Sequence, residues 1–132
     1  MEYLIDTHVC IWAIADKEKL SVPVREILEN TGNKILLSQA SLYEIAVKLS
    51  VGKIPGFEVS ITEFIESVYA TGFEIVPIKN EHIIAYTNFN FREDHRDPFD
   101  RLLIAASFFE KTPFITKDEK FQNYSDRVKI IW

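Results

Sequence analysis

His95-Arg96-Asp97-Pro98-Phe99-Asp100-Arg101 runs straight into Leu102-Leu103-Ile104-Ala105-Ala106-Ser107-Phe108-Phe109, and the rest of the chain is organised around that stretch. Asp97 carries the short acceptor side chain that caps a helix. Pro98 suits the first helical position, where its missing N–H costs nothing. Asp100 then falls in the first turn. Residues 102–109 are almost all apolar, so this helix is expected to be buried on most faces, with Phe108 and Phe109 in the core. Capping and the helix dipole explain an acid at such a place. They account for one carboxylate more readily than for two.

Outward from this helix, strands and helices alternate. Downstream, Phe114-Ile115 reads as a short strand stopping at Thr116-Lys117-Asp118, and residues 128–132 supply a last strand. Upstream, residues 90–96 form a polar loop and residues 81–89 a helix. Phe73, Ile75 and residues 76–78 make a strand whose Pro77 belongs near a sheet edge, where its missing donor is not needed. Ser60-Ile61-Thr62-Glu63 is a capping box that opens a helix closed by Gly72. Residues 53–59, with Pro55 and Gly56, read as a loop. A helix over residues 40–49 packs Leu42, Ile45, Ala46 and Leu49 on one face. It carries Ser41, Glu44 and Lys48 on another, at three- and four-residue spacing. Ile35-Leu36-Leu37 is a buried strand. Ser21 and Pro23 open a helix that Asn30-Thr31-Gly32-Asn33 stops. Tyr3-Leu4-Ile5 is a first strand that ends at Asp6, and residues 9–14 form the helix after it. This order predicts a parallel sheet covered by helices on both faces, with right-handed crossovers.

Composition sets the frame. One domain, spanning residues 1–132, is expected for 132 residues with 47 % hydrophobic and 27 % charged content. The net charge of −5 argues against a general basic coat for nucleic acid. It leaves open a nucleic acid held through bound cations, which reverse the local field. Cys10 is the single cysteine, so no internal disulfide forms, and a reducing, cytoplasmic setting fits. The apolar N-terminus is interrupted by Asp6 and His8 and reads as neither signal peptide nor membrane span. Cys10 itself reads as core. His8, His82 and His95 show no metal-ligand spacing, and the glycines form no phosphate loop.

The acids are the informative residues. Ligands of open α/β sheets bind at the carboxyl ends of strands. Asp6 follows the first strand and Asp118 lies just past a later one. Glu44 and Asp100 sit in the first turns of their helices. Each has an ordinary alternative: Asp6 as a cap, Glu44 as a surface partner of Lys48, Asp118 as a turn former. If they converge, like charges held close oppose one another and call for a cation. Oxygen ligands without clustered His or Cys favour magnesium or manganese over zinc.

Four segments together resemble the PIN domain, and within it the VapC-like toxins of toxin–antitoxin pairs. They are Leu4-Ile5-Asp6-Thr7, Ser38-x-x-Ser41-x-x-Glu44, the run from Asp97-Pro98-Phe99-Asp100-Arg101 through Ala106, and Ile115-Thr116-Lys117-Asp118-x-x-Phe121. The resemblance covers essentially the whole chain. It implies an α/β/α sandwich with a central parallel sheet of four to five strands. It also implies a metal-dependent endoribonuclease (a phosphodiester hydrolase using one or two Mg²⁺ or Mn²⁺ ions) with an antitoxin partner and a homodimeric assembly. Asp6, Glu44, Asp100 and Asp118 match the family's metal-site acids, and Thr7 and Thr116 the polar residues beside them. Ser41, Asp97 and Arg101 are possible supporting residues, Asp97 as cap or as an outer partner of the site. Lys48 and Arg101 are free to hold flanking phosphates or to pair with acids. Where many relatives have a further acid two residues beyond the Asp118 position, this chain has Lys120.

Two other classes compete. A receiver or phosphatase domain also places acids after parallel strands. However, the second and third strands here end Leu37-Ser38 and Ile78-Lys79, and His8 stands where such a phosphatase needs a second Asp. The other alternative is a non-catalytic PIN-like module that binds RNA or protein without cutting it.

Overall fold

The computed structural model describes residues 1–52, 54 and 58–132. The reading of a loop at Pro55 and Gly56 lies outside the described residues. The strands are β1 (Glu2–Ile5), β2 (Lys34–Ser38), β3 (Glu74–Val76), β4 (Phe114–Ile115) and β5 (Ile130–Ile131). The α-helices are α1 (Thr7–Ala15), α2 (Val22–Glu29), α3 (Gln39–Ser50), α4 (Ile61–Ala70), α5 (Asn80–Asn88) and α6 (Pro98–Glu110). A 3₁₀ helix, Glu119–Tyr124, lies between β4 and β5.

Local chemistry sets the helix ends. The Ser21 hydroxyl accepts from Val24 N at the start of α2. Ser60 and Glu63 close a reciprocal capping box at α4. Gly72, at φ +90°, supplies the left-handed turn that ends α4. Asp97 caps α6 with Pro98 in its first turn.

All strands are parallel, in the order β3-β2-β1-β4-β5. The chain therefore builds outward from β1 to one edge and then returns to β1's other side. The β1/β4 seam is the switch point, and the crevice at its carboxyl end is where open α/β sheets take ligands. β3 is an edge strand that stops at Val76, so Pro77 lies just beyond it and not within it as the sequence suggested.

Strand alternation divides the core. Tyr3, Ile5 and Ile115 join Val9, Val24, Ile45 and Phe64 on one face. Leu4 and Phe114 join Leu103, Ile104, Phe121 and Tyr124 on the other. One expectation fails in α6. Residues 103–107 are buried, but Phe108 and Phe109 are 44 % and 45 % exposed. They lie in the last turn and meet Phe89 and His82 edge-on instead of the sheet. Among the described residues no helix is long and apolar enough to cross a membrane.

Candidate active site

A pocket of about 560 Å³ opens at the carboxyl edge of the sheet, lined among others by Asp6, Glu44, Asp97, Asp100 and Asp118. His8, Trp12, Lys48, Lys117 and Glu119 complete its wall. Strand order creates this gathering. β1 and β4 are neighbours, so their following residues, Asp6 and Thr116, meet although 110 positions separate them.

Asp6 is held on both oxygens. Thr7 N donates to Oδ1 at 2.7 Å and Thr116 Oγ1 to Oδ2 at 2.7 Å. Burial raises its pKa, opposed by the Thr116 and Thr7 hydrogen bonds and the nearby His8, with Glu44 adding to the rise. Glu44 is likewise held on both oxygens and is only 8 % exposed. The surface-partner reading is thus wrong in its setting, although the pairing with Lys48 is real: Nζ stands 2.8 Å from Oε2. Thr7 Oγ1 lies 2.8 Å from Glu44 Oε1 and 2.9 Å from Ser41 Oγ. An ionised carboxylate only accepts, so the Thr7 proton goes to Glu44 and Ser41 supplies its own to Thr7.

The other acids are held more loosely. Asp97 Oδ1 accepts from Phe99 N at 2.8 Å and Asp100 N at 3.0 Å, so the cap reading holds. Asp118 Oδ1 accepts from Lys120 N at 3.0 Å, and Asp118 N donates to Thr116 Oγ1 at 3.1 Å. Each of these caps uses one carboxylate oxygen. Among the described residues, Oδ2 of Asp97 and Oδ2 of Asp118 have no hydrogen-bond partner. Asp100 Oδ2 lies 3.1 Å from His95 Nε2. Its carboxyl is pushed up to about 8, first by burial and then by the charges of Asp6, Asp97, Glu44 and Asp118.

Arg101 is spent elsewhere. Its guanidinium donates to the carbonyls of His95 and Arg92 and lies 4.9 Å from the Phe91 ring centroid. It braces the loop before α6 and pairs with no acid among the described residues.

His95, which showed no metal-ligand spacing in the sequence, has a setting that the sequence did not reveal. It is 2 % exposed, with Nδ1 3.1 Å from Tyr124 Oη and its ring stacked on Tyr124. Burial is the chief cause holding its pKa below the usual value. A lone histidine in a polar loop carries no periodicity, so its sequence neighbours do not reveal this setting. Cys10 is buried, its thiol pushed up to about 12 by desolvation, consistent with a core residue.

The donor set suits a hard divalent cation in kind: carboxylate oxygens with no thiol and no clustered imidazole. Burial first, and then the negative charges of its neighbours, raise the Asp100 carboxyl. Lys48 supplies the balancing positive charge on the Glu44 side. Among the described residues no three donors are gathered as a ready-made metal ligand set.

Comparison with known proteins agrees with this architecture. No curated protein matches the chain in sequence. Similar solved structures include VapBC2 from Rickettsia felis bound to a DNA fragment of its promoter, at 17% identity and TM-score 0.67, covering 99% of this chain and 98% of that one. DNA-bound VapBC from Salmonella typhimurium is 16% identical with TM-score 0.71, covering 99% and 97%. VapBC-5 from Mycobacterium tuberculosis is 15% identical with TM-score 0.57, covering 98% and 95%. At such identities the likeness is one of fold. The model of the PIN domain matches residues 3–127, a range that holds β2, β3, β4, most of β1 and every acid of the pocket, and the chain belongs to the PIN domain family.

Proposed function

We propose that this protein is a metal-dependent endoribonuclease, the toxin of a toxin–antitoxin pair, acting as a single domain over residues 1–132. The observation that carries the reading is the set of carboxylates lining one pocket at the switch point, with Asp100 pushed up to about 8 by burial and its neighbours' charges. Membership of a family whose members are generally nucleases supports it, as does a fold shared with VapBC complexes.

Asp6, Glu44, Asp100 and Asp118 are the residues to hold one or two Mg²⁺ or Mn²⁺ ions. A divalent ion held by these acids would lower the pKa of a water and offset charge at the phosphoryl group. The chain's own part is orientation. Thr7 N and Thr116 fix both oxygens of Asp6, and Thr7 with Ser41 fixes one oxygen of Glu44. Such preorganisation avoids reorganisation at the moment of reaction. Lys48 and Lys117, on the pocket wall, are the cations placed to meet phosphates flanking the scissile bond. The Lys48–Glu44 pair supports a reading of how the site would be silenced. An arginine or lysine delivered by an antitoxin would occupy the same acids and displace cation and RNA together.

The test is cleavage of a mixed tRNA and rRNA pool by antitoxin-free protein with Mg²⁺, Mn²⁺ or chelator, and with Asp100→Asn alongside. Metal-dependent cutting lost in the variant is the expected result. Folded protein that retains RNA binding but never cuts, with Asp100→Asn indistinguishable from the parent, would favour the binding-module reading instead.

A further inference from the structure

We infer that His95 is a positioning residue, locked by Tyr124 into one tautomer so that its Nε2–H fixes Asp100 at the mouth of the acidic pocket. The inference rests on the nuclease reading for its purpose, but on geometry for its content. Tyr124 is fully buried and its oxygen accepts from Arg92 N at 3.3 Å. A buried phenol proton needs an acceptor. Among the described residues the one within reach is His95 Nδ1, 3.1 Å away. An Nδ1 that accepts carries no hydrogen, so the neutral ring bears its hydrogen on Nε2. That nitrogen lies 3.1 Å from Asp100 Oδ2. The chain of donation therefore runs one way, from Arg92 N–H to the Tyr124 oxygen, from the phenol to Nδ1, and from Nε2–H to Asp100.

Packing holds the imidazole in place. Its ring is stacked on Tyr124 at 22° between planes and meets the Phe121 ring edge-on at 4.8 Å. Both aromatic partners come from the 3₁₀ helix that Asp118 caps. His95 thus ties the element after β4 to the first turn of α6, joining the supports of Asp118 and Asp100. Among the described residues Asp100 has no backbone donor of the kind Asp6 receives from Thr7, and the imidazole is the side chain that meets its carboxylate. Outer partners of metal-binding side chains fix orientation in this manner.

Two measurements test this. Nitrogen-15 shifts of the His95 ring in the metal-free protein should show a protonated Nε2 and a bare Nδ1. Mn²⁺ affinity, followed by the paramagnetic signal of the free ion, should fall about 10–100-fold in His95→Phe. His95→Gln, whose amide nitrogen reaches the Nε2 position, should restore affinity to within about threefold of the parent. Tyr124→Phe, lacking the phenol proton, should fall between them and lose the single-tautomer signature. A hydrogen found on Nδ1, or a folded His95→Phe that binds Mn²⁺ as the parent does, overturns the positioning role. If the parent itself takes up no Mn²⁺, the metal reading fails, and the nitrogen shifts alone decide whether His95 directs Asp100.

Discussion

The acidic pocket has two halves that are built differently. On one side, Asp6 and Glu44 are buried, and both oxygens of each are engaged by Thr7, Thr116 or Lys48. On the other, Asp97 and Asp118 are exposed and each spends one oxygen on capping a helix, while Asp100 meets a single imidazole. The first half adds to local partners (Thr7 N on Asp6, Lys48 on Glu44) two long-range ones that the fold brings in, Thr116 on Asp6 and Thr7 on Glu44. The second is fixed by local caps and one loop side chain. A site of this kind combines a rigid wall with a more adjustable one, so changes on the two sides should differ in kind.

The largest effects should come from the carboxylates themselves. Asp6→Asn and Asp100→Asn should each lower metal-supported cleavage on the order of 10²–10³-fold. Rates for the two variants over a Mn²⁺ series sharpen the contrast. Excess ion should partly restore Asp100→Asn, on the adjustable side, and leave Asp6→Asn unchanged. Equal recovery in both would remove the distinction between the halves.

Next in size are the supports. Thr116→Val keeps the side-chain volume but strips the hydroxyl that donates to Asp6 and accepts from Asp118 N. Unsatisfied buried partners cost about 1–3 kcal/mol, and the melting temperature should drop by several degrees. On the other side, Asp97→Ala removes only a cap, worth about 0.5–2 kcal/mol. Asp97→Ser keeps a capping acceptor, so denaturant unfolding should differ from the parent by less than about 0.5 kcal/mol. A larger loss in Asp97→Ser than in Thr116→Val would invert the comparison.

The same division explains what could be read from the sequence. Features that depend on a few neighbouring residues were legible: Asp97 before Pro98, Ser60 with Glu63, Ser21 before Pro23, and Asp6 at the end of an apolar run. Their caps are local hydrogen bonds, so the local order of residues determines them. Strand order was beyond reach, because two-residue strands such as β4 and β5 carry almost no pattern of their own. The meeting of Asp6 and Thr116 was therefore suggested by the family resemblance alone. Apolar content misled at Phe108 and Phe109, since hydrophobicity marks what favours burial and leaves open whether the sheet extends that far. The Glu44–Lys48 spacing was legible as a helical pair, but its burial depends on Thr7 arriving from α1 to meet Glu44 and Ser41 of α3. Arg101 was open in the sequence to phosphates or to acids, and its guanidinium meets the carbonyls of its own loop.

The last prediction reads the raised Asp100 carboxyl, lifted first by burial and then by its neighbours' charges. In the folded chain Asp100 is raised from 3.8 to about 8, and Asp6 is raised in the same sense. Between those limits the unfolded chain has released the proton that the folded chain keeps. The native state then binds more protons, and its stability falls as pH rises. His95 acts with the opposite sign, since its lowered pKa leaves the unfolded chain holding more protons near 6.5. Its contribution is complete above that value. Cys10, raised from 9.0 to about 12, matters only at higher pH, and Glu110, lowered from 4.5, only at lower pH. Between pH of about 7 and 8 the slope therefore belongs to Asp100. In chelator, the parent's melting temperature should decline across this window by a few degrees, and Asp100→Asn should flatten most of the decline. Mn²⁺ should flatten it as well, by supplying the charge that the proton otherwise provides. A parent whose melting temperature holds steady or climbs from pH 7 to 8, with Asp100→Asn running parallel, would mean that the loosely held half of the pocket carries no excess of charge for a cation to relieve.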